Sequence, residues 1–242
     1  MQDLSTELPL FQSIDSAIVE AILSARIRPG ARLNENQLAS LYGVSRTRVR
    51  EAMMRLEARC IVRVSPRRGW FVVEPSADEA RYIYGARRMI EAGLLRSMGP
   101  LDAAGRAALH QHLELERAAI AAGDRQRLTC LMGDFHIRIA QLAANPVLIE
   151  ILRDLTARTI LISLLYQSEF HAVQSHEGHC QIVEALEAGD AERAAALAVQ
   201  HLDEVEDGLD LTRQPDPLAD LRETLQPNRE PGTSPRSPSA FT

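Results

Sequence analysis

The chain has 242 residues, with 45% hydrophobic and 25% charged side chains, an ordinary globular composition and enough length for two domains of moderate size. No apolar run approaches the roughly 18 residues of a membrane span, and Asp3 and Glu7 stand where a secretion signal would be basic, so a cytoplasmic protein without membrane contact is expected. Cys60, Cys130 and Cys180 are odd in number and far apart, which excludes a disulfide framework or a paired zinc-finger spacing and marks them as reduced packing residues.

In chain order, residues 1–9 read as a frayed start. Phe11, Ile14, Ile18, Ala21 and Ile22 then recur at helical spacing and predict a helix ending near Arg28, because Pro29-Gly30 cannot continue it. Leu38 and Leu41 belong to a short helix closed by Gly43, which suits a left-handed position, and Ser45 can cap the next helix. In that second helix Val49, Met53 and Leu56 share a buried face, while Arg46, Thr47 and Arg50 fall elsewhere. Ile61–Val64 and Trp70–Val73 read as strands of a hairpin whose connection, Ser65-Pro66-Arg67-Arg68-Gly69, puts two arginines at its tip.

Every basic residue of the chain is arginine, so arginine content alone argues nothing, but its placement does. Residues 26–68 hold eleven arginines against three acids, a local +8 in a chain of net charge −6. Helix, turn, arginine-bearing helix and basic hairpin over residues 10–73 are the layout of a winged helix-turn-helix, with double-stranded DNA as its partner. An ordinary three-helix bundle with a solvated basic face would require turn, face separation, hairpin and charge to coincide by chance.

The run LNENQLASLYGVSRTRVREAMMRLEARCIV, preceded by IRPGARL, resembles the DNA-binding domain of the GntR family of bacterial transcription regulators. The resemblance implies Ser45 and Thr47 on phosphates, Arg46 and Arg50 on base edges, Asn36 within reach of either, and Arg67, Arg68 and Gly69 of the wing on the flanking groove. Two positions depart from the family pattern: Arg48 where proline is common, and Cys60 where glycine is common, which puts the bend into the wing in question.

After a linker at 74–78 the character changes. From residue 74 onward sixteen arginines face twenty-six acids, a net of −10 unsuited to DNA. Ser76 and Glu79 have capping-box spacing, and Ala-Gly-Asp at 122–124 and 188–190 and Asn145-Pro146 separate helices expected near 77–98, 102–122, 124–143, 146–167, 170–188 and 190–211. The fold class is mainly α: the winged head, then an all-helical bundle over 79–212. A proline-rich tail at 213–242 reads as disordered, with a short helical piece at 216–225.

His136, His179 and His201 fall on three different helices of this bundle. From spacing alone each reads first as a satisfied polar core residue. RRMIE at 87–91, FHIRIAQLAANPVL at 135–148 and HCQIVEALEAGDAERAAALAVQHL at 179–202 are similar to the FCD effector domain of the FadR-like branch of that family. In many such domains three histidines and an aspartate four residues before the first hold a divalent cation. The resemblance assigns His136, His179 and His201 as metal ligands, but Met132 stands at the aspartate position and Asp134 falls on nearly the opposite face.

Zn²⁺ or Ni²⁺ on three imidazoles remains feasible, with water, His176 or an effector carboxylate completing the shell. Arg87 would pair with a small organic acid as effector, or else with Glu91 at i+4. The expected protein is a ligand-responsive, homodimeric regulator on a pseudo-palindromic operator, and not an enzyme. Two alternatives stand beside it: a metal-free architectural DNA-binding protein, and a helical metallohydrolase, although His176-Glu177-Gly178-His179 is one residue short of the HExxH zinc motif.

Overall fold

Ser13 opens the first helix, α1 (Ile14–Leu23), by accepting the Ser16 amide on its hydroxyl. A computed structural model describes residues 13–167 and 171–212, so the expected frayed start, the tail at 213–242 and its helix at 216–225 lie outside the described residues. Helix α1 ends before Arg28. The Ser24 hydroxyl donates back to Glu20 O at 2.7 Å, Ala25 takes a φ of 50°, and the Arg26 amide bonds Ala21 O, so a Schellman closure is complete before Pro29-Gly30 is reached.

Next come β1 (Arg32–Leu33), α2 (Glu35–Tyr42), α3 (Arg46–Ala58), β2 (Val62–Ser65) and β3 (Gly69–Val72). Asn34 caps α2, Gly43 ends it at φ 62°, and Ser45 caps α3, as the local chemistry requires. The hairpin strands are displaced by about one residue from expectation, within the usual ambiguity of element ends. Strand β1 was not foreseen. It pairs antiparallel with β3, giving the order β1-β3-β2 with Trp70 opposite Leu33 on one side and Val64 on the other.

The body comprises α4 (Ala77–Ser97), α5 (Ala103–Ala122), α6 (Arg125–Leu142), α7 (Pro146–Tyr166), α8 (Ala172–Glu187) and α9 (Ala191–Asp207). Both halves of the Ser76–Glu79 capping box form, and Gly123 and Gly189 take positive φ before Asp124 and Asp190, which cap α6 and α9. Helix α9 stops four residues early, because Leu209 pairs with Gln167 and the Asp210 amide bonds Tyr166 O.

Head and body share one compact unit. The head's core of Ile18, Ile22, Val49, Met53, Leu56 and Trp70 continues without a break into Ile137 of α6 and Ala157, Ile160 and Leu161 of α7. Ion pairs flank this seam, Arg59 Nε to Asp154 Oδ2 and Arg153 Nη2 to Glu20 Oε2, both at 2.8 Å. Partly exposed pairs contribute about 0–1 kcal/mol each and a buried isoleucine or leucine about 1.5–3 kcal/mol, so the apolar seam dominates the attachment.

Candidate nucleic-acid interface and candidate metal centre

On the head, Asn36, Ser45, Arg46, Thr47 and Arg50 are all exposed, at the start of α2 and along the first turns of α3. The opposite stripe of α3, Val49, Ala52, Met53 and Leu56, is buried, so the helix presents its polar stripe because its apolar one is occupied. Arg67, Arg68 and Gly69 are exposed at the hairpin tip. Pro66 and Arg67, the latter at φ 64°, form the centre of a turn closed by the Arg68 amide on Ser65 O, as in a type II turn with arginine at the usual glycine place. The Phe71 ring supports two wing cations, with Arg68 Cζ at 5.3 Å and Arg63 Cζ at 5.7 Å from its centroid.

Glu35, which sequence reasoning passed over, sits among these cations. It accepts Arg50 Nε at 3.1 Å and Nη2 at 3.0 Å, Arg46 Nη2 at 3.4 Å and the Trp70 indole N–H at 3.0 Å. The Arg50 guanidinium first, and then the indole, hold its carboxyl at about 2.

Within the body, His136 of α6, His179 of α8 and His201 of α9 converge, each buried, with one ring nitrogen apiece within 4.8 Å of the others. His136 Nδ1 lies 2.7 Å from Glu91 Oε2, and His179 Nδ1 lies 2.8 Å from Glu116 Oε1. An ionised carboxylate only accepts, so both Nδ1 atoms carry the proton and both Nε2 atoms keep a lone pair. Burial pushes Glu91 and Glu116 up, but Arg87 with His136, and His112 with His179, outweigh it and hold both near 2. Desolvation also lowers the histidines: His136 to about 4, His179 downward, and His201 well below its ordinary value. At neutral pH the triad is uncharged.

These residues fit a metal. Three neutral imidazoles, two of them braced from behind by carboxylates, form the donor set and outer shell that suit Zn²⁺ or Ni²⁺. His179 Nε2 and His201 Nε2 stand 3.2 Å apart, so one proton on His201 Nε2 satisfies the pair and leaves its buried Nδ1 without a partner. The Cβ of any residue larger than glycine at 178 would come within 2.8 Å of that Nδ1, so Gly178 leaves the ring its room.

A cavity of about 70 Å³ adjoins the triad, lined in part by His136, His201, Arg87, Met132, Thr159 and Ser163. Met132 thus faces the same space as the histidines but brings a thioether rather than a charge. Asp134 lies elsewhere, paired with Arg138 at 2.7 Å, and His176 is engaged by Glu116 at 2.8 Å rather than by the triad. Of the two readings of Arg87, the pairing with Glu91 is present: its Nε binds Glu91 at 2.7 Å and its Nη1 binds Thr159 Oγ1 at 3.1 Å, while Nη2 is buried and unpartnered. His112 and Glu116 carried no local sequence signal. Only the packing of α5 against α6 and α8 brings them in.

Among the described residues no helix is long and apolar enough to cross a membrane. Glu177, the acid that a hydrolase would need, is exposed beside the buried cluster.

Residues 10–72 match the profile of bacterial regulatory proteins of the gntR family, and residues 82–204 match the FCD domain. The HTH-type transcriptional repressor RspR of Escherichia coli K12 is 26% identical over 215 residues, covering 87% of this chain and 93% of that protein. The Uxu operon transcriptional regulator of the same organism is 28% identical, covering 82% and 86%. The solved structure of E. coli McbR/YncC superposes with a TM-score of 0.70 at 25% identity, covering 82% of this chain and 95% of the other. With profiles matching both the arginine-rich head and the histidine-bearing body, the chain belongs to the GntR family of bacterial transcription regulators, in the FadR-like branch that carries an FCD domain.

Proposed function

We propose that two copies of this regulator bind a pseudo-palindromic operator duplex, and that a divalent ion with a small organic acid in the body governs that binding. Residues 10–73 do the reading, 79–212 the sensing, and 74–78 join them. Helix α3 enters the major groove with Arg46 and Arg50 on base edges, Ser45 and Thr47 on phosphates and Asn36 beside them, while Arg67, Arg68 and Gly69 of the wing follow the flanking groove.

The single observation that carries the sensing half is the convergence of three buried neutral imidazoles beside a buried guanidinium with a free N–H edge. His136, His179 and His201 would hold the ion, and the ion when bound supplies a Lewis-acidic anchor for a carboxylate. Arg87 Nη2 offers the same carboxylate a charge-assisted hydrogen bond. Helix α7 links the two halves: Thr159 binds Arg87, and Ile160 both lines the cavity and packs in the head's core. A ligand that alters this wall acts directly on the seam carrying the head, and shifts the population of head positions.

The hydrogen bond that His179 and His201 can share without any ion supports a second reading, a metal-free architectural protein. Zinc and nickel content after purification without chelator, with melting curves in ZnCl2 and citrate, separates the two. The sensing reading expects ZnCl2 at 100-fold over Kd to add about 2.7 kcal/mol of stability to the wild type and nothing to His136→Ala. No metal, and no shift with Zn²⁺, Ni²⁺ or citrate, would leave the architectural role. A chain that is monomeric by light scattering and fails to retard any duplex at low salt would sink both.

A further inference from the structure

Glu35 is an acid set among the exposed cations of the reading face, and its bonding is asymmetric. Its two oxygens receive four N–H donors: Oε1 takes Arg50 Nε and the Trp70 indole, and Oε2 takes Arg50 Nη2 and Arg46 Nη2. A carboxylate has about four acceptor positions, so none is left for the amino group of a cytosine, and Glu35 does not read a base itself. Its side chain is 17% exposed, against 57% for Arg50, so the acid sits beneath the cation rather than beside it.

The Arg50 guanidinium is gripped along its side edge, Nε with Nη2. The opposite, end edge, Nη1 with the second Nη2 hydrogen, stays free. Those two parallel N–H groups are the fork that meets N7 and O6 of a guanine. Trp70, buried in the central strand of the wing sheet, ties the carboxylate to the hairpin, so wing, α2 and α3 meet at one acid.

We propose that Glu35 is a specificity-determining positioning residue, holding Arg50 by its side edge so that its end edge reads a guanine in each operator half-site. The inference rests on the DNA-reading role proposed above. Without this brace a long arginine on an exposed helix turn would reach phosphates as readily as bases, and binding would persist while selectivity fell. Arg46, held by one longer contact, is braced less firmly.

The test uses the full chain and duplexes enriched by the wild-type protein from a randomised pool, with a scrambled duplex of the same length as reference, titrated at several salt concentrations. Glu35→Gln is expected to lower the ratio of enriched to scrambled affinity about 10-fold and to weaken preference for one guanine per half-site. The scrambled duplex should bind at least as tightly as before, because a negative charge has left the face. Arg50→Ala should remove the same preference, and Glu35→Gln added to it should cost no further selectivity. Arg50→Lys, which keeps the charge and lacks the fork, should behave like Arg50→Ala, and it tests the idea even if Glu35→Gln folds poorly. An unchanged ratio in Glu35→Gln, an equal loss on both duplexes, additivity with Arg50→Ala, or a retained guanine preference in Arg50→Lys would each overturn the inference alone. A wild type that enriches no duplex would overturn the DNA-reading role, and this inference with it.

Discussion

Head and body each gather nitrogen donors around a glutamate, in opposite media. Glu35 collects two guanidiniums and an indole near the surface, where water can replace the guanidiniums. Glu116, fully buried, collects His112 at 3.1 Å, and His176 and His179 at 2.8 Å each, where nothing else can. The first arrangement holds its cations at a wet surface where a polyanion can reach them, whereas the second fixes ring orientations and tautomers in the dry interior. A reading face needs the former and a ligand site the latter.

Removing each acid measures the contrast. Glu116→Ala strands the buried His179 Nδ1, takes a partner from His112 and His176, and should cost about 3–5 kcal/mol in urea unfolding, as removal of one partner from a buried charged network does. A loss under about 1 kcal/mol would mean that water reaches the cluster and that the body site is no more rigid than the head. Glu35→Gln should leave the urea midpoint nearly unchanged.

Acid probes the same cluster without mutation. His136 titrates at about 4 in the fold and near 6.5 when unfolded, so between those values the unfolded chain binds more protons and stability falls as pH falls. In protein stripped of metal by chelator this group alone should remove on the order of 3 kcal/mol between pH 6.5 and 4. Glu91 and Glu116, depressed to about 2, add their own loss between pH 4.5 and 2. The head has no buried histidine among the described residues, so denaturant midpoints of a His136→Gln variant should be flatter across pH 6.5–4 than those of the wild type. Equal slopes would place the titrating group elsewhere.

On the head the expected effects are smaller and concern DNA. Arg50→Ala should weaken binding to an enriched duplex by about 1–3 kcal/mol and relax base preference, whereas Arg68→Ala should weaken every sequence alike and lower the salt slope by about 1. Gel shifts in which both variants treat enriched and scrambled duplexes identically would erase the division between helix and wing.

The head was legible in sequence because its determinants are local. Gly43 and Ser45 specify a turn and a cap, Val49, Met53 and Leu56 a buried stripe, and Arg67 and Arg68 a tip, all within a few residues of their effect. What failed there was non-local: β1 exists only because β3 lies beside it, and Glu35 gains meaning only when Trp70 and Arg50 arrive from other elements. In the body the helices were legible from their caps, and the triad from the family pattern. The braces were not, since Glu116 serves His179 from 63 positions away and nothing near it in the chain says so. Arg87 was open between two roles in sequence, and the fold shows why: pairing Nε with Glu91 leaves Nη2 of the same guanidinium without a partner, so the one role does not exclude the other.

Cys60 offers the smallest test, at a helix end that lacks the glycine used at several others. Helices α5 and α8 are followed by Gly123 and Gly189 in the left-handed conformation, whereas α3 ends with Cys60 at φ 55°. The Cys60 amide bonds Glu57 O and the Ile61 amide bonds Leu56 O, a Schellman closure that delivers Ile61 to the core and starts the wing. So the missing glycine does not alter the bend; it strains it. A non-glycine residue there costs about 1–2 kcal/mol, and glycine gives back about 0.5–1 kcal/mol through the freedom of its unfolded chain. Cys60 is exposed, so little packing is lost in the exchange. Cys60→Gly should therefore stabilise the protein by about 0.5 kcal/mol, a rise of roughly 1–2 °C in Tm for a chain of this size, with the wing and its DNA affinity unchanged. A fall in Tm would mean that the thiol contributes a contact outweighing the strain.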